Sequence, residues 1–487
     1  MPVDAALLRR PATELAALIR RGELSAVELT QAALDRIAAL DDRTNAVVDV
    51  WADDALAAAA AVRPGDPRPF AGVPTAIKNN RAVAGRRLTV GSSLTGEHVA
   101  PRDHAVVRRI RDAGFVLLGA TNLPEWGITP VTCPRRFGPT RNPWDLGRTA
   151  GGSSGGAAAA VAAGMLPVAH GNDGGGSIRI PAACCGLVGL KPSRGRVTLA
   201  PDLGWHLLVA DGMLTRTVGD AAATLDVLAT PEPGDLAPLP LPDAPFAEHA
   251  RHGGEGGLRA LRIGVTTTPA LEGDPSLADA EAAARAADLL AGLGHHVEEV
   301  DPPWHVPGLL DLFERSFGPG IATSMRVAEL RHGRALARGD VEALSWALWE
   351  RANALSTPDF LLADAELQAL ARTVLAWAAP YDALLTPALA TAPVGATALD
   401  PDGPDPMAGF AAGGRFTPYT AIVNVTGQPA IALPLFTRPA EDPAAGLPLG
   451  VQLIGRPGGE ATLLALAAQI EAAAPWAARV APLALER

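Results

Sequence analysis

Apolar residues recur at helical spacing early in the chain. Leu29, Ala33 and Ile37 fall on one face, and Ser25 with Glu28 places a capping-box pattern ahead of them. Residues 1–69 therefore read as N-terminal helices. From Phe70 the texture changes. AGVPTAIKNN is a short apolar run ending in polar residues, the pattern of a buried strand leaving the core, and Lys78 stands at its exit. A helix-like HAVVRRIRDAG and a strand-like FVLLGATN follow, then a loop rich in Pro, Arg and Trp up to Gly151. Ala157 to Gly164 is a run of small residues that predicts a buried helix with close backbone packing. GLVGLK at 186–191 and LRIGV at 261–265 read as strands, and Asp279 to Leu293 as an amphipathic helix. Strands interleaved with helices predict an α/β sheet covered on both faces.

The periodicity is interrupted in three places. Residues 231–257, rich in Pro, Gly and acids, read as a surface linker, and Pro302 to Pro307 reads as a loop. Residues 398–414 read as a Gly/Pro loop, either a lid or simply mobile. Between the last two, residues 309–377 are mostly helical and carry Trp346, Trp349 and Trp377, whose spacing suits a core better than a binding box. Alternating apolar runs resume at Ile422 and end in a last helix near Glu471. No internal repeat divides the chain. It reads as one domain over 1–487, with a central core at 70–230 and a C-terminal core at 258–487 whose helical part, 309–377, is a candidate substrate pocket.

Composition narrows the class. Hydrophobic residues are 48% and charged residues 19% of the 487, enough for a large core and too few charges for disorder. A net charge of −11 gives no footprint for nucleic acid or an anionic membrane. The first twenty residues mix arginines with acids and lack an apolar stretch, so a secretory signal is not expected and a cytoplasmic location is. Gly155 to Gly164 is too short to span a bilayer. Cys133, Cys184 and Cys185 have no CxxC spacing and suggest neither disulfides nor zinc. Of 41 basic residues only Lys78 and Lys191 are lysine. A buried amine can lose its proton near neutral pH and a guanidinium cannot, so a lysine surviving such a bias is a candidate base.

Several chemistries are excluded by spacing. A Walker loop needs Gly before its Lys, and here Ile77 and Leu190 stand there. No G-x-G-x-x-G opens a helix after a strand, and the ten histidines include no H-E-x-x-H, so neither a dinucleotide nor a metal is expected. The glycine-framed serines of GGSSGG, Ser153 and Ser154, both satisfy G-x-S-x-G, the nucleophile elbow of a Ser-His-Asp esterase. That elbow needs a strand directly before it, whereas RNPWDLGRTA is polar and prolyl, and it leaves the second cluster, DGGGS with Ser177, idle.

Taken together, GGSSGG, DGGGSIRIPA and AGVPTAIKNN closely resemble the amidase signature family of serine hydrolases. TNLPEWG, FGPTRNPWD, GLVGLKPSRGRV, LTRTVGDAA, YDALLTPALA, NVTGQPAIALP and GVQLIGR extend the resemblance over most of the chain. It implies an α/β fold with a large mixed twisted β-sheet covered by helices on both faces. It also implies a Ser-Ser-Lys triad working through an acyl-enzyme: Ser177 as nucleophile, Ser153 as intermediate proton carrier after a cis peptide bond, and Lys78 as base. The backbone N–H groups of Gly174, Gly175, Gly176 and Ser177 are then expected to cradle the oxyanion. Asp173 and Arg179 are expected to pair and fix the turn, Ser154 either to join the active-site network or to cap the next helix, and Asn424 and Gln428 to face the pocket. Lys191 and the Cys184–Cys185 pair read as structural.

Two positions depart from the family pattern: Asn79 where an Asp commonly follows the lysine, and Gly174 where Thr or Ile is common. Ile180 is unlike the SIRQPA of the glutamyl-tRNA amidotransferase subunits, which favours a free-standing amidase over an assembly subunit. GNDGGGSIRIPAACCGLVGLKPSRGRV looks most like the branch holding hydrolases of cyclic nylon oligomers and enzymes acting on aryl amides and carbamates. The expected partner is thus a small-molecule amide, carbamate or ester, with no cofactor, and the expected assembly is a monomer or homodimer.

Overall fold

Two sheets share the core, and the candidate base and serines come from opposite sides of their junction. The computed structural model describes residues 5–95, 98–202 and 208–486; the first four residues of the expected N-terminal helical segment and the last residue of the chain lie outside them. Strands β1 (Val47–Val50), β2 (Pro74–Lys78) and β3 (Val116–Thr121) form a small sheet with β3 in the middle, antiparallel to β1 and parallel to β2. A short hairpin pairs β4 (Arg141–Asn142) with β5 (Asp145–Thr149).

The large sheet comprises β6 (Ala169–Asp173), β7 (Val188–Lys191), β8 (Ala210–Thr215), β9 (Arg262–Val265), β10 (His296–Glu299), β11 (Ala383–Pro387), β12 (Ala430–Thr437) and β13 (Pro448–Gly455). Its order is β10-β9-β11-β13-β12-β7-β8-β6, with β9 parallel to β10 and β11 and the other pairs antiparallel. It is the large mixed sheet flanked by helices that the sequence predicts.

Strand β2 belongs to the small sheet but lies against β6, the edge of the large one. Thr75 Oγ1 donates to the Val168 carbonyl at 3.1 Å, and the Lys78 N–H donates to His170 Nδ1 at 3.3 Å. All of β2, β3 and β6 is buried; β2 and β3 read as apolar runs for that reason, whereas β6, AHGND, is largely polar and gives no such run. The helix Gly155–Ala162 packs beneath with every residue buried. A Cβ on Gly156 would sit 2.4 Å from the Asn122 nitrogen, so this run has to be small.

The helices Leu309–His332, Ala343–Ala354 and Thr357–Ala378 fill the expected helical region and wall a cavity. Trp346 and Trp349 pack partly buried beside Leu94 and Ile128, and Trp377 rests on Tyr381 at 5.5 Å, so these tryptophans are packing residues. Glu125 moors this wall to the loop before it. Its Oε1 accepts from Ser92 Oγ at 2.6 Å, and its Oε2 accepts from Ser345 Oγ at 2.5 Å and the Glu342 N–H at 2.8 Å.

Two sequence expectations need correction. The linker 231–257 is irregular only up to Pro245; Phe246–Gly254 is a helix packed on the helix Glu460–Ala473, with Phe246 buried and its N–H bound to Asp226 Oδ1 at 2.7 Å. The loop 398–414 gives way to a helix, Pro406–Phe416, whose start is capped by Asp405 accepting from the Ala408 N–H at 3.0 Å. Its glycines disguise it, yet they serve packing: Gly413 lies where a Cβ would touch Pro130 at 3.0 Å. Among the described residues no helix is long and apolar enough to cross a membrane.

Candidate active site

A cavity of about 1250 Å³ opens between the junction of the sheets and the helical wall. Ser153, Asn172, Gly174, Gly175 and Ser177 form its floor, and Trp126, Phe313, Phe317, Leu367 and Phe410 line its sides. Ser153 follows a cis peptide bond from Gly152, in the turn that joins β5 to the buried helix. Ser177 lies in the turn between β6 and the helix Arg179–Cys185. The Ser154 N–H donates to the Ser177 carbonyl at 3.2 Å and ties the two turns together.

Lys78 ends β2 with its side chain fully buried. Its Nζ lies 2.7 Å from Ser153 Oγ, 2.7 Å from Asn172 Oδ1 and 3.5 Å from the Asn172 carbonyl oxygen. Burial disfavours the ammonium and the nearby Arg81 adds to this, while Asp211 and Asp173 pull the other way; the amine is left at about 7, down from 10.5. An amine balanced there can take and return a proton near neutral pH.

The Ser177 hydroxyl makes no hydrogen bond among the described residues and faces the cavity. The amides of Gly174, Gly175 and Ser177 likewise have no acceptor among the described residues. Gly176 does not join them, contrary to the sequence expectation: its N–H donates to Asp173 Oδ1 at 2.7 Å. Its φ of +131° and a would-be Cβ 2.4 Å from Thr420 Oγ1 make glycine obligatory there.

Asp173 is the anchor of this turn. Besides Gly176 it accepts from the Ile178 N–H at 3.2 Å and takes both Arg179 Nε and Nη2 at 2.9 Å. Burial works against its charge, but Arg179 together with Lys191 and Asn424 outweighs burial and holds the carboxyl below its ordinary range. Arg179 reaches on to Gln452 Oε1 at 2.7 Å and the Thr420 carbonyl at 3.0 Å.

Asn424 completes the same network, accepting from Arg179 at 2.6 Å and donating to Asp173 Oδ1 at 2.9 Å, and does not line the cavity. Gln428 is also turned away, donating to the Gly455 carbonyl at 2.9 Å. Both are therefore scaffold residues. Ser154 resolves toward the network: its Oγ donates to the Asn172 carbonyl at 3.2 Å and caps no helix. Lys191 donates to the adjacent Pro192 carbonyl at 2.8 Å and contacts no serine of the two turns by hydrogen bond, and Cys184 and Cys185 are buried thiols whose pKa burial raises.

The match to known proteins is long. The amidase family model, described as "Amidase", covers residues 28–464. The chain belongs to the amidase signature family. It is a hydrolase of carbon–nitrogen bonds other than peptide bonds. A 6-aminohexanoate-cyclic-dimer hydrolase of Paenarthrobacter ureafaciens is 39% identical, over 97% of this chain and 96% of that one. The structure of a 6-aminohexanoate cyclic dimer hydrolase complexed with substrate superposes with a TM-score of 0.89 at 35% identity, covering 99% of this chain and 100% of that one. A bacterial aryl acylamidase of the same family superposes at 0.87 with 28% identity, covering 99% of each chain.

Sequence reasoning missed four residues of this amidase's site. Asn172 touches the lysine amine. His170, two residues earlier on β6, accepts the Lys78 N–H, and its Nε2 sits 3.0 Å from Asp211 Oδ1. Arg81 grips both oxygens of Asp211 at 2.9 and 2.8 Å. The signal was available in the alternation of β6, which puts His170 and Asn172 on the same face.

Proposed function

We propose that this enzyme hydrolyses small amides through a Ser-Ser-Lys triad and an acyl-enzyme on Ser177. The observation that carries the reading is the 2.7 Å contact between the buried amine of Lys78 and Ser153 Oγ. Neutral Lys78 takes the Ser153 proton as Ser153 takes that of Ser177, and Ser177 Oγ attacks the carbonyl carbon. The oxyanion turns toward the amides of Gly174, Gly175 and Ser177, which have no competing acceptor among the described residues; one such donor is typically worth about 3 kcal/mol of barrier. The proton returns through Ser153 to the leaving nitrogen, the amine departs, and water enters by the same relay to release the acid.

The cavity's apolar and aromatic sides suit a substrate with a bulky apolar or aromatic acyl group, in keeping with relatives named for a cyclic aminohexanoate dimer and for aryl acylamides. Carbamates and esters present the same carbonyl to the same nucleophile. A Ser-His-Asp esterase finds little support here. Among the described residues no histidine lines the cavity, and His170 is committed at both ring nitrogens, to the Lys78 N–H and to Asp211.

The test is a panel of anilides, carbamates and esters assayed with wild type, Lys78→Ala, Lys78→Arg and each single His→Ala variant. Both lysine variants are expected to lose roughly 10²–10⁴-fold in kcat/KM. The histidine variants other than His170→Ala, whose ring supports Lys78 and Asp211, are expected to stay active. An active Lys78→Arg enzyme overturns the triad.

A further inference from the structure

A neutral amine has two N–H bonds and one lone pair, and Lys78 can act as a base only if the lone pair, not an N–H, meets Ser153. Its neighbours decide the matter. Two of the three oxygens around Nζ, Asn172 Oδ1 at 2.7 Å and the Asn172 carbonyl at 3.5 Å, belong to one residue and can only accept. If each takes an N–H, the lone pair falls on Ser153 Oγ, the third neighbour and the one able to donate.

The amide of Asn172 is itself held. Its Nδ2 donates to Asn80 Oδ1 at 3.0 Å, and Asn80 Nδ2 donates back to Asn172 Oδ1 at 3.2 Å. Asn79, which stands where the family commonly has Asp beside the lysine, is occupied elsewhere: its Oδ1 accepts from the Thr89 N–H at 2.7 Å and Thr89 Oγ1 at 3.1 Å. The sequence neighbour of the lysine therefore fixes a turn, and the partner of its amine comes from β6.

We propose that Asn172, held by Asn80, is the positioning residue that aims the Lys78 lone pair at Ser153. Asn172 is an acceptor without charge, so it orients the amine without locking it as an ammonium. The charged groups facing this corner are Arg81, Asp211 and Asp173, and His170 is kept neutral by burial against the pull of Asp211. None of these charged groups is hydrogen-bonded to the amine; among the described residues its partners are Asn172 and Ser153. The proposal rests on Lys78 being the base.

The test measures kcat and KM from pH 6 to 10 on a fatty-acid nitroanilide for wild type, Asn172→Asp, Asn172→Leu and Asn80→Leu, with Lys78→Ala as control. In Asn172→Asp the acceptor remains but carries charge that favours the ammonium. The acid limb of kcat/KM is expected to move up by about one pH unit or more, a loss of about tenfold below it, with kcat recovering at high pH. Asn172→Leu, of similar size with no acceptor, is expected to lose roughly tenfold to a hundredfold in kcat at every pH with KM little changed. Asn80→Leu, a substitution at the cavity surface, is expected to give a smaller loss of the same kind, which keeps the test decisive if an Asn172 variant fails to fold.

Wild-type kcat in Asn172→Leu or in Asn80→Leu overturns the proposal, as does an Asn172→Asp enzyme whose acid limb does not move. The control separates the two readings. An active Lys78→Ala enzyme refutes the triad itself, whereas an inactive one beside a fully active Asn172→Leu enzyme refutes only the role of Asn172.

Discussion

At and beneath the floor of the cavity Lys78, Ser153, Asn172 and Asp173 are buried and polar, each held by a neighbour 2.7 to 2.9 Å away. The facing wall, from the helices Leu309–His332, Thr357–Ala378 and Pro406–Phe416, is mostly apolar, and buried carboxylates lie behind it, among them Glu125 and Glu342. The difference separates chemistry from selection. Proton transfer needs atoms fixed by directional bonds in a dry place, where a misplaced group is costly. Fitting an acyl group needs only shape and apolar area, for which many side chains serve. Substitutions on the floor should therefore abolish turnover or folding, and substitutions on the wall should redistribute substrates.

The largest expected effect beyond the proposed triad lies under the floor. Asp173→Ala strips the buried Arg179 of its counter-charge, leaving a charge 1% exposed to solvent. A loss of about 3–5 kcal/mol in unfolding free energy is expected from denaturant titration, and a loss under about 1 kcal/mol contradicts the role given to the pair. Next comes the wall: Phe313→Ala should lower kcat/KM for bulky aromatic acyl groups by about tenfold while acetyl substrates change little. Equal losses on both classes mean that Phe313 serves the chemistry as well.

A smaller effect distinguishes the two regions by pH. On the floor Lys78 must be neutral, so kcat/KM should rise with pH through about 7. Behind the wall, burial and the neighbouring Glu125 push Glu342 up to about 8 from 4.5. The folded protein then binds this proton more tightly than the unfolded chain does. The resulting stability is complete below pH 4.5 and is lost as pH rises to about 8. Melting temperatures across that range should fall less for Glu342→Gln than for wild type, and parallel curves contradict the assignment. The smallest change is expected at Gly174, where an added Cβ meets only Val209 Cγ2 at 3.5 Å. Gly174→Ala should alter stability by less than about 0.5 kcal/mol and leave turnover within a few-fold of wild type.

The same contrast explains what could be read from the sequence. The floor is coded in short stretches, GGSSGG, DGGGS and the strand ending at Lys78, because turns with fixed backbone geometry tolerate few residue types. Strands β2, β3 and β7 were legible for a similar reason, being apolar and buried along their whole length, whereas the polar β6 and the mostly exposed β10 were not. What joins the floor was harder to see: Asp211 and Arg81 lie 130 positions apart and meet only because β8 pairs with β6 and β6 lies against β2. Asn424, inside the short helix Ala421–Thr426, and Gln428 just after it were expected to face the pocket, and long-range partners, Asp173 and the Gly455 carbonyl, turn them inward. On the wall, the glycine-rich helix Pro406–Phe416 and the helix Phe246–Gly254 were hidden by residues of low helix propensity, which tertiary packing overrides.

The central claim is that Ser177 is acylated and that Lys78 drives the acylation. Rapid acid quench of the enzyme with a slow carbamate, followed by peptide mapping by mass spectrometry, tests it directly. The adduct is expected on Ser177 in wild type and to be absent from Lys78→Ala on the same timescale. An adduct on Ser153 or Ser154, or one that forms undiminished without Lys78, contradicts the account.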